Sequence, residues 1–283
     1  MFRWLTGSGA SRSATERMQA RIPADLWEAT LRAAPYLAAL DDTERTLLLQ
    51  RTAWLLASKT INGAQGMVID NRIRLTIAAQ ACLPILHLPV ELYAGWDEII
   101  VYPSGFLIPR QDADVFGVVH EYMEEAAGQA WDGGPVLLSW DDTVDPGSPG
   151  FNVVIHEFAH KLDLYAGDAD GTPLLEGHAG LAPRRWRQIL DEALETLRCQ
   201  LEDIEATLPP DVDPDSPEAD PWYEDLPLDP YAATDEAEFF AVSSEVFFVD
   251  PLRLAQAMPA WYEQLSRYYR QDPRNRSITA AQP

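Results

Sequence analysis

Positive charge is scarce in this chain: 21 Lys and Arg stand against 45 Asp and Glu, for a net charge of −24 and a sequence pI of about 4.4. Nucleic-acid backbones are held by basic surfaces, so direct nucleic-acid binding is excluded. An anionic membrane surface would repel such a chain as well. Long apolar runs are missing too. No stretch approaches the roughly eighteen residues of a membrane span, and Met1 to Gly7 lacks the apolar run of a signal peptide. Cysteine is limited to Cys82 and Cys199. Two distant cysteines make no secreted disulfide framework. Both sit in segments that read as helical and are expected to be reduced and buried, with the cytoplasm as the compartment. What remains is ample for folding. Hydrophobic residues make up 47% of 283 positions, enough for one large or two modest domains.

Histidine is also rare, with five in the chain, so the grouping of two of them carries weight. They fall in Val153-Val154-Ile155-His156-Glu157-Phe158-Ala159-His160-Lys161-Leu162-Asp163. On an α-helix, positions i and i+4 share a face. His156 and His160 can then offer two imidazole nitrogens to one zinc ion. Glu157 lies about 100° further round the helix, where it reaches a water rather than the metal. That is the zinc-peptidase arrangement, two ligands plus a general base. The rest of the helix is apolar, and a buried helix carrying two histidines and a glutamate must pair them with something.

A third ligand is needed. The class that continues with a glycine and a third histidine is excluded, because those positions hold Asp163 and Ala166. The other common class takes a glutamate from a later helix, and the candidates are Glu176, Glu192, Glu195, Glu236, Glu238 and Glu245. Glu176 reads as a solvated loop residue. Glu192 and Glu195 read as the solvent face of an amphipathic helix whose apolar residues are Trp186, Ile189, Leu190, Ala193, Leu194 and Leu197. Residues 237–248 differ, forming an apolar helix on which Glu238 and Glu245 lie seven apart on one face. The residues alone leave those two as equal rivals. Asp163, three after His160, shares its face and is a candidate to orient that imidazole, or else a plain helix-end residue.

From about Leu37 to Pro273 the chain resembles the Mlc titration factor A family of bacterial zinc-dependent peptidases. The resemblance rests on LPILHLP, VYPSGF, SGFLIPR, GPVLLSW, GFNVVIHEFAHKLD, DPYAATDEAEFFAVSSEVFF and the closing Tyr268-Tyr269-Arg270-Gln271-Asp272-Pro273. The catalytic part is similar in turn to the zinc domain of anthrax lethal factor. The resemblance implies an α+β, zincin-like metallopeptidase with its active-site HExxH helix, a small mixed sheet and a helical N-terminal part. It implies one Zn²⁺ per chain on His156, His160 and Glu238, with Glu157 as general base. Tyr231, seven residues before Glu238, becomes the phenol that donates to the oxyanion of the transition state; Glu245 is left a supporting role. A peptide or protein substrate is implied. So is a second role, because the family's named member sequesters a transcriptional repressor, Mlc; an acidic surface suits a basic partner.

Along the chain, residues 1–22 read as a loose N-terminus, 23–95 as the helical part, 96–273 as the zincin-like catalytic domain and 274–283 as a tail. Helices are expected over Pro23 to Leu40, Asp42 to Lys59 and Ile73 to Leu86. Short strands are expected at Glu98 to Tyr102, Gly105 to Ile108, Val115 to Met123 and Pro135 to Trp140. Gly134 to Leu138 is a candidate for pairing a substrate backbone as an added strand. Residues 202–230 hold eleven acidic residues, seven prolines and no Lys or Arg, which predicts a mobile loop outside the core, a linker or a lid over the cleft. Pro251 to Arg270 reads as a closing helix whose aromatic stripe belongs to the core.

Overall fold

The structure is a computed structural model that describes residues 11–113, 119–145, 147, 150–214 and 216–276. Helices α1 (Arg12–Gln19), α2 (Ala24–Ala33), α3 (Pro35–Ala38) and α4 (Asp42–Ser58) open the chain. Helix α1 lies in the stretch expected to be loose; Ser11 caps it, its Oγ accepting from Ala14 N–H at 3.2 Å. The single helix expected over Pro23 to Leu40 is two. Ala34 is extended at φ −124° and ψ 109°, because the ring of Pro35 crowds a helical residue before it. Helix α4 matches its expected span and starts with a capping box. Glu44 N–H donates to Asp41 Oδ1 at 2.8 Å, and Asp41 N–H donates to Glu44 Oε2 at 3.2 Å.

Strand β1 (Thr60–Gly63) and helix α5 (Asn71–Cys82) follow, then β2 (Glu98–Tyr102), β3 (Phe106–Ala113), β4 (Val119–Ala126), β5 (Gly128–Ala130) and β6 (Val136–Ser139). One four-stranded sheet runs β1-β2-β6-β5. In it β1, β2 and β6 are parallel, and β5 is antiparallel on the outer edge of β6. Strands β3 and β4 pair separately as an antiparallel ribbon. The expected strand at Val115 to Met123 begins outside the described residues, and its described part falls in β4. Two strands escape the sequence pattern. In β1 only Ile61 is buried, and Gly-Gln-Ala in β5 has no β-former.

Helices α6 (Trp140–Val144), α7 (Val153–Ala166), α8 (Pro183–Glu205), α9 (Asp220–Tyr223), α10 (Glu236–Val249), α11 (Pro251–Ala257) and α12 (Pro259–Tyr269) complete the described chain. None is long and apolar enough to cross a membrane. One hydrophobic core runs from Trp27 to Tyr269, so the N-terminal helices share it with the sheet and with α7 to α12. Helix α10 is buried nearly all round. Its phenylalanines meet the stripe of α12 as expected: Phe239 lies 5.5 Å from Trp261, and Phe247 4.9 Å from Tyr262. Two polar tips find partners inside this packing. Trp261 Nε1–H donates to Ser243 Oγ and the Tyr269 hydroxyl to Ser244 Oγ, both at 2.8 Å.

Three expectations need correction. The single helix expected over Pro251 to Arg270 is two, α11 and α12, broken at Met258 (φ −131°, ψ 61°) ahead of Pro259. Residues 202–230 do reach the core: Ala219, Leu226 and Leu228 are buried. The Arg253 guanidinium of α11 donates to the carbonyls of Glu224 and Leu226, supplying the partners that the loop backbone needs. Composition misled here because a few apolar side chains suffice to anchor an acidic segment. Cys82 is buried as expected, but Cys199 is exposed on α8, on the solvent side of an amphipathic helix. The tail beyond Arg276 lies outside the described residues, yet Arg276 itself is held by Glu44 at 2.7 Å.

Gly171 joins three helices. Its N–H donates to Asp163 Oδ2 of α7 at 2.7 Å, and its carbonyl accepts from Trp186 Nε1 of α8 at 2.8 Å. Its φ is +72°, and an added Cβ would sit 2.8 Å from Leu190 Cδ1 and collide with the Glu236 backbone. Gly171→Ala should therefore lower stability by about 1–3 kcal/mol in urea unfolding. An unchanged midpoint would show that the segment relaxes freely.

Candidate metal centre

Helix α7 begins at Asn152, whose side-chain oxygen accepts from Ile155 N–H at 2.9 Å. Phe158 packs edge-on against Tyr93 at 5.0 Å and Trp96 at 5.7 Å, which fixes the rotation of the helix. The opposite face then presents His156 and His160, stacked one turn apart as the helical period requires. Helix α10 packs against this face. Its cap, Asp235, accepts from Glu238 N–H at 2.9 Å and so sets Glu238 in the first turn.

These two helices bring His156, His160 and Glu238 together. Glu238 Oε2 lies 3.1 Å from His156 Nε2 and 3.3 Å from His160 Nε2, and the two Nε2 atoms are 3.1 Å apart. Tetrahedral bonds of about 2.0–2.1 Å would separate ligand atoms by about 3.3–3.4 Å, so the triangle suits a small divalent ion. The tautomer suits it as well. His156 Nδ1–H donates to Glu245 Oε1 at 2.7 Å, so it is Nε2 that gives up its proton and turns a lone pair toward Glu238 when a metal takes the proton's place. Glu238 Oε2 is itself buried without a hydrogen bond. Burial lowers the His156 pKa, but the Glu238 and Glu245 carboxylates more than offset it and hold it well above the ordinary value. Burial raises Glu238, and the two imidazoles overcome it and hold it well below the usual carboxylate range. Such a cluster wants a cation at its centre.

Glu245 has the orienting role. It is 1% exposed, and its second oxygen accepts from the Asn152 backbone N–H. One carboxylate thus ties the His156 ring to the start of its own helix, as outer partners of metal-binding histidines do. Asp163, the other candidate for this work, points elsewhere and accepts from Gly171. Burial pushes its pKa up to about 7. Glu176, Glu192 and Glu195 are exposed, as expected.

Glu157 faces the sheet. It is 3% exposed, its Oε2 has no hydrogen-bond partner, and burial pushes its pKa up to about 7. The neighbour across from it is Gly128 of β5. A methyl group there would overlap Glu157 Oε1 and lie 2.7 Å from its Cγ, so only glycine leaves the carboxylate its place. Lys161, on the same helix, holds this strand in position. Its ammonium donates to the carbonyls of Trp131 at 2.6 Å and Gly134 at 2.9 Å, in the turn between β5 and β6. Neither Gly128 nor Lys161 stood out in the sequence, and only the spacing of glycines around a short strand hinted at a close approach. Strand β6 lies inside the sheet between β2 and β5, so Gly134 to Leu138 cannot accept an added strand. The outer edge belongs to β5. Tyr231 sits in a 3-10 turn, Pro230–Ala233, with its ring 6.4 Å from that of His156 and 42% exposed.

A helix with two histidines and a glutamate, facing a carboxylate from a second buried helix beside a small mixed sheet, is the layout of a zincin-like α+β metallopeptidase. The chain belongs to the Glucose-regulated metallo-peptidase M90 family, whose sequence profile matches residues 9–270. It is 36% identical over 249 residues to Mlc titration factor A of Serratia proteamaculans, covering 87% of each chain. To Mlc titration factor A of Klebsiella pneumoniae subsp. pneumoniae it is 36% identical over 277 residues, covering 96% of this chain and 93% of the relative.

Glu245→Ala should weaken metal binding by about 10- to 100-fold in chelator competition, as loss of such partners typically does. An unchanged affinity would mean that packing alone orients His156. Asp163 gives a pH signature. Its folded pKa, about 7, lies above its ordinary 3.8, so its contribution to stability is complete below 3.8. That contribution is lost as pH rises toward about 7. In Asp163→Asn, the fall in stability between those limits should flatten; an identical slope would exclude Asp163 as its source.

Proposed function

We propose that this protein is a zinc-dependent peptidase whose His156, His160 and Glu238 hold one zinc ion. The observation that carries this reading is the convergence of those three donor atoms within 3.3 Å of one another. Two imidazoles and a carboxylate suit zinc. Zinc held there supplies Lewis acidity toward a carbonyl and lowers the pKa of a water.

The remaining chemistry belongs to the chain. Glu157, buried and titrating near neutrality, takes a proton from the attacking water and returns it to the leaving amine as the C–N bond breaks. Tyr231 borders the site beside His156, and its phenol donates to the oxyanion of the tetrahedral intermediate. The outer edge of β5, next to Glu157, pairs with the backbone of the peptide. A second reading, binding of an Mlc-type transcriptional repressor, draws support from the name that the relatives carry. The net charge of −24 suits a basic partner.

The test is metal content and peptide hydrolysis on four proteins. Wild type should hold one zinc per chain and turn over. Glu238→Ala should lose both metal and activity. Glu157→Gln should keep the metal and lose about 10²-fold or more in kcat. Tyr231→Phe should keep the metal and lose about 10²- to 10³-fold in kcat. Full metal in Glu238→Ala, or turnover in Glu157→Gln, would sink the assignment of that residue. A wild type without metal would leave the binding role as the better reading.

A further inference from the structure

A cavity of about 340 Å³ lies between the N-terminal helices and the start of α7, within the roughly 300–1,000 Å³ of small-molecule sites. Ala29 and Ala33, one turn apart on α2, leave the room, and Leu26, Phe151 and Val249 give it apolar walls. Arg72 of α5 and Asp142 of α6 line it with opposite charges. Neither side chain makes a hydrogen bond or ion pair among the described residues.

The polar side of the cavity is a closed triangle. The Tyr36 hydroxyl donates to Gln80 Oε1 at 2.9 Å, and Asn152 Nδ2 donates to both, at 2.7 Å each. Asn152 is also the cap of α7 and the donor to Glu245, which accepts from His156. A molecule touching this triangle is therefore two residues, Asn152 and Glu245, away from a histidine of the metal centre.

We propose that this cavity is a second ligand site, taking a small zwitterion with an apolar side chain, and that its occupancy is felt at the metal centre. The guanidinium of Arg72, an exposed residue, matches a carboxylate, half-buried Asp142 matches an ammonium, and the apolar walls match an aliphatic or aromatic side chain. Free amino acids and dipeptides have this chemistry. That they are also products of the enzyme rests on the peptidase reading above; the binding itself does not. Coupling is reciprocal: a ligand that shifts Asn152 changes metal affinity, and metal changes ligand affinity by the same factor.

The test is calorimetric titration of the full-length protein, as purified and after chelation, with leucine, phenylalanine and the dipeptide Leu-Leu. N-acetylleucine amide, which lacks both charges, is the control. Saturable binding of a zwitterion in both forms is expected, with the free amino acids and the dipeptide separating by affinity. Arg72→Ala should weaken it by about tenfold, the loss of one charge-assisted contact. Ala29→Trp, at an exposed position of α2, should fill the cavity and abolish it. Saturating ligand should change zinc affinity in chelator competition by about fivefold or more, as coupled sites typically do. No binding up to about 10 mM, affinity unchanged in both variants, or equal binding of the uncharged control would overturn the site. Binding with unaltered zinc affinity would overturn the coupling. Because the binding is read on the protein with and without metal, binding in both forms together with no hydrolysis of a peptide panel by the zinc-holding protein would keep the site and reject only the peptidase reading.

Discussion

A close-packed set of three donor atoms sits at the centre of this molecule. A carboxylate oxygen and two imidazole nitrogens, each able to turn a lone pair inward, are pressed to 3.1–3.3 Å of one another. Left unneutralised away from water, such a grouping is costly, and only a positive charge relieves it. The same field that raises His156 and depresses Glu238 is what a divalent ion would meet. The fold supplies the force that keeps the three together. Helices α7 and α10 are both buried on nearly every side, and each is capped by its own polar residue, so neither can rotate to spread the cluster.

The surroundings divide that work. On one side Glu245 and Asn152 lock His156, and through Tyr36 and Gln80 they connect it to α3 and α5. The N-terminal helices are thus part of the apparatus that sets the His156–His160 face. On the other side Lys161 grips the turn that carries β5 toward Glu157, and Gly128 yields the space that the carboxylate fills. The spacing between Glu157 and the strand edge is a product of both contacts.

Much of this was legible in the sequence where the physics is local. The i, i+4 histidines, the Asp41–Glu44 capping box and the apolar run of α10 each announce themselves within a turn or two. Only the resemblance singled out Tyr231 and separated Glu238 from Glu245, because nothing near the two glutamates tells one from the other two turns away. In three dimensions Glu238 and Glu245 share a face, and both meet His156, one at each ring nitrogen. That second contact closes across 89 residues, beyond any local pattern. The break at Pro35 was readable but masked by the apolar period on both sides. Residues 202–230 misled in the opposite sense, since average composition hides the few side chains that anchor them.

The chain contains only two lysines, Lys59 and Lys161, and both are buried against the ring of Trp96, their ammonium groups 4.0 and 5.1 Å from its centre. Each spends its donors on backbone carbonyls, and burial lowers both pKa values to about 8. All remaining side-chain cation of permanent charge is guanidinium. The folded molecule therefore offers no lysine amine to acylating reagents, amine-directed cross-linkers or lysyl acetylation. Lysine labelling becomes a report on opening of the core around Trp96, and a conjugate made through a lysine is a conjugate of a protein that has already come apart there.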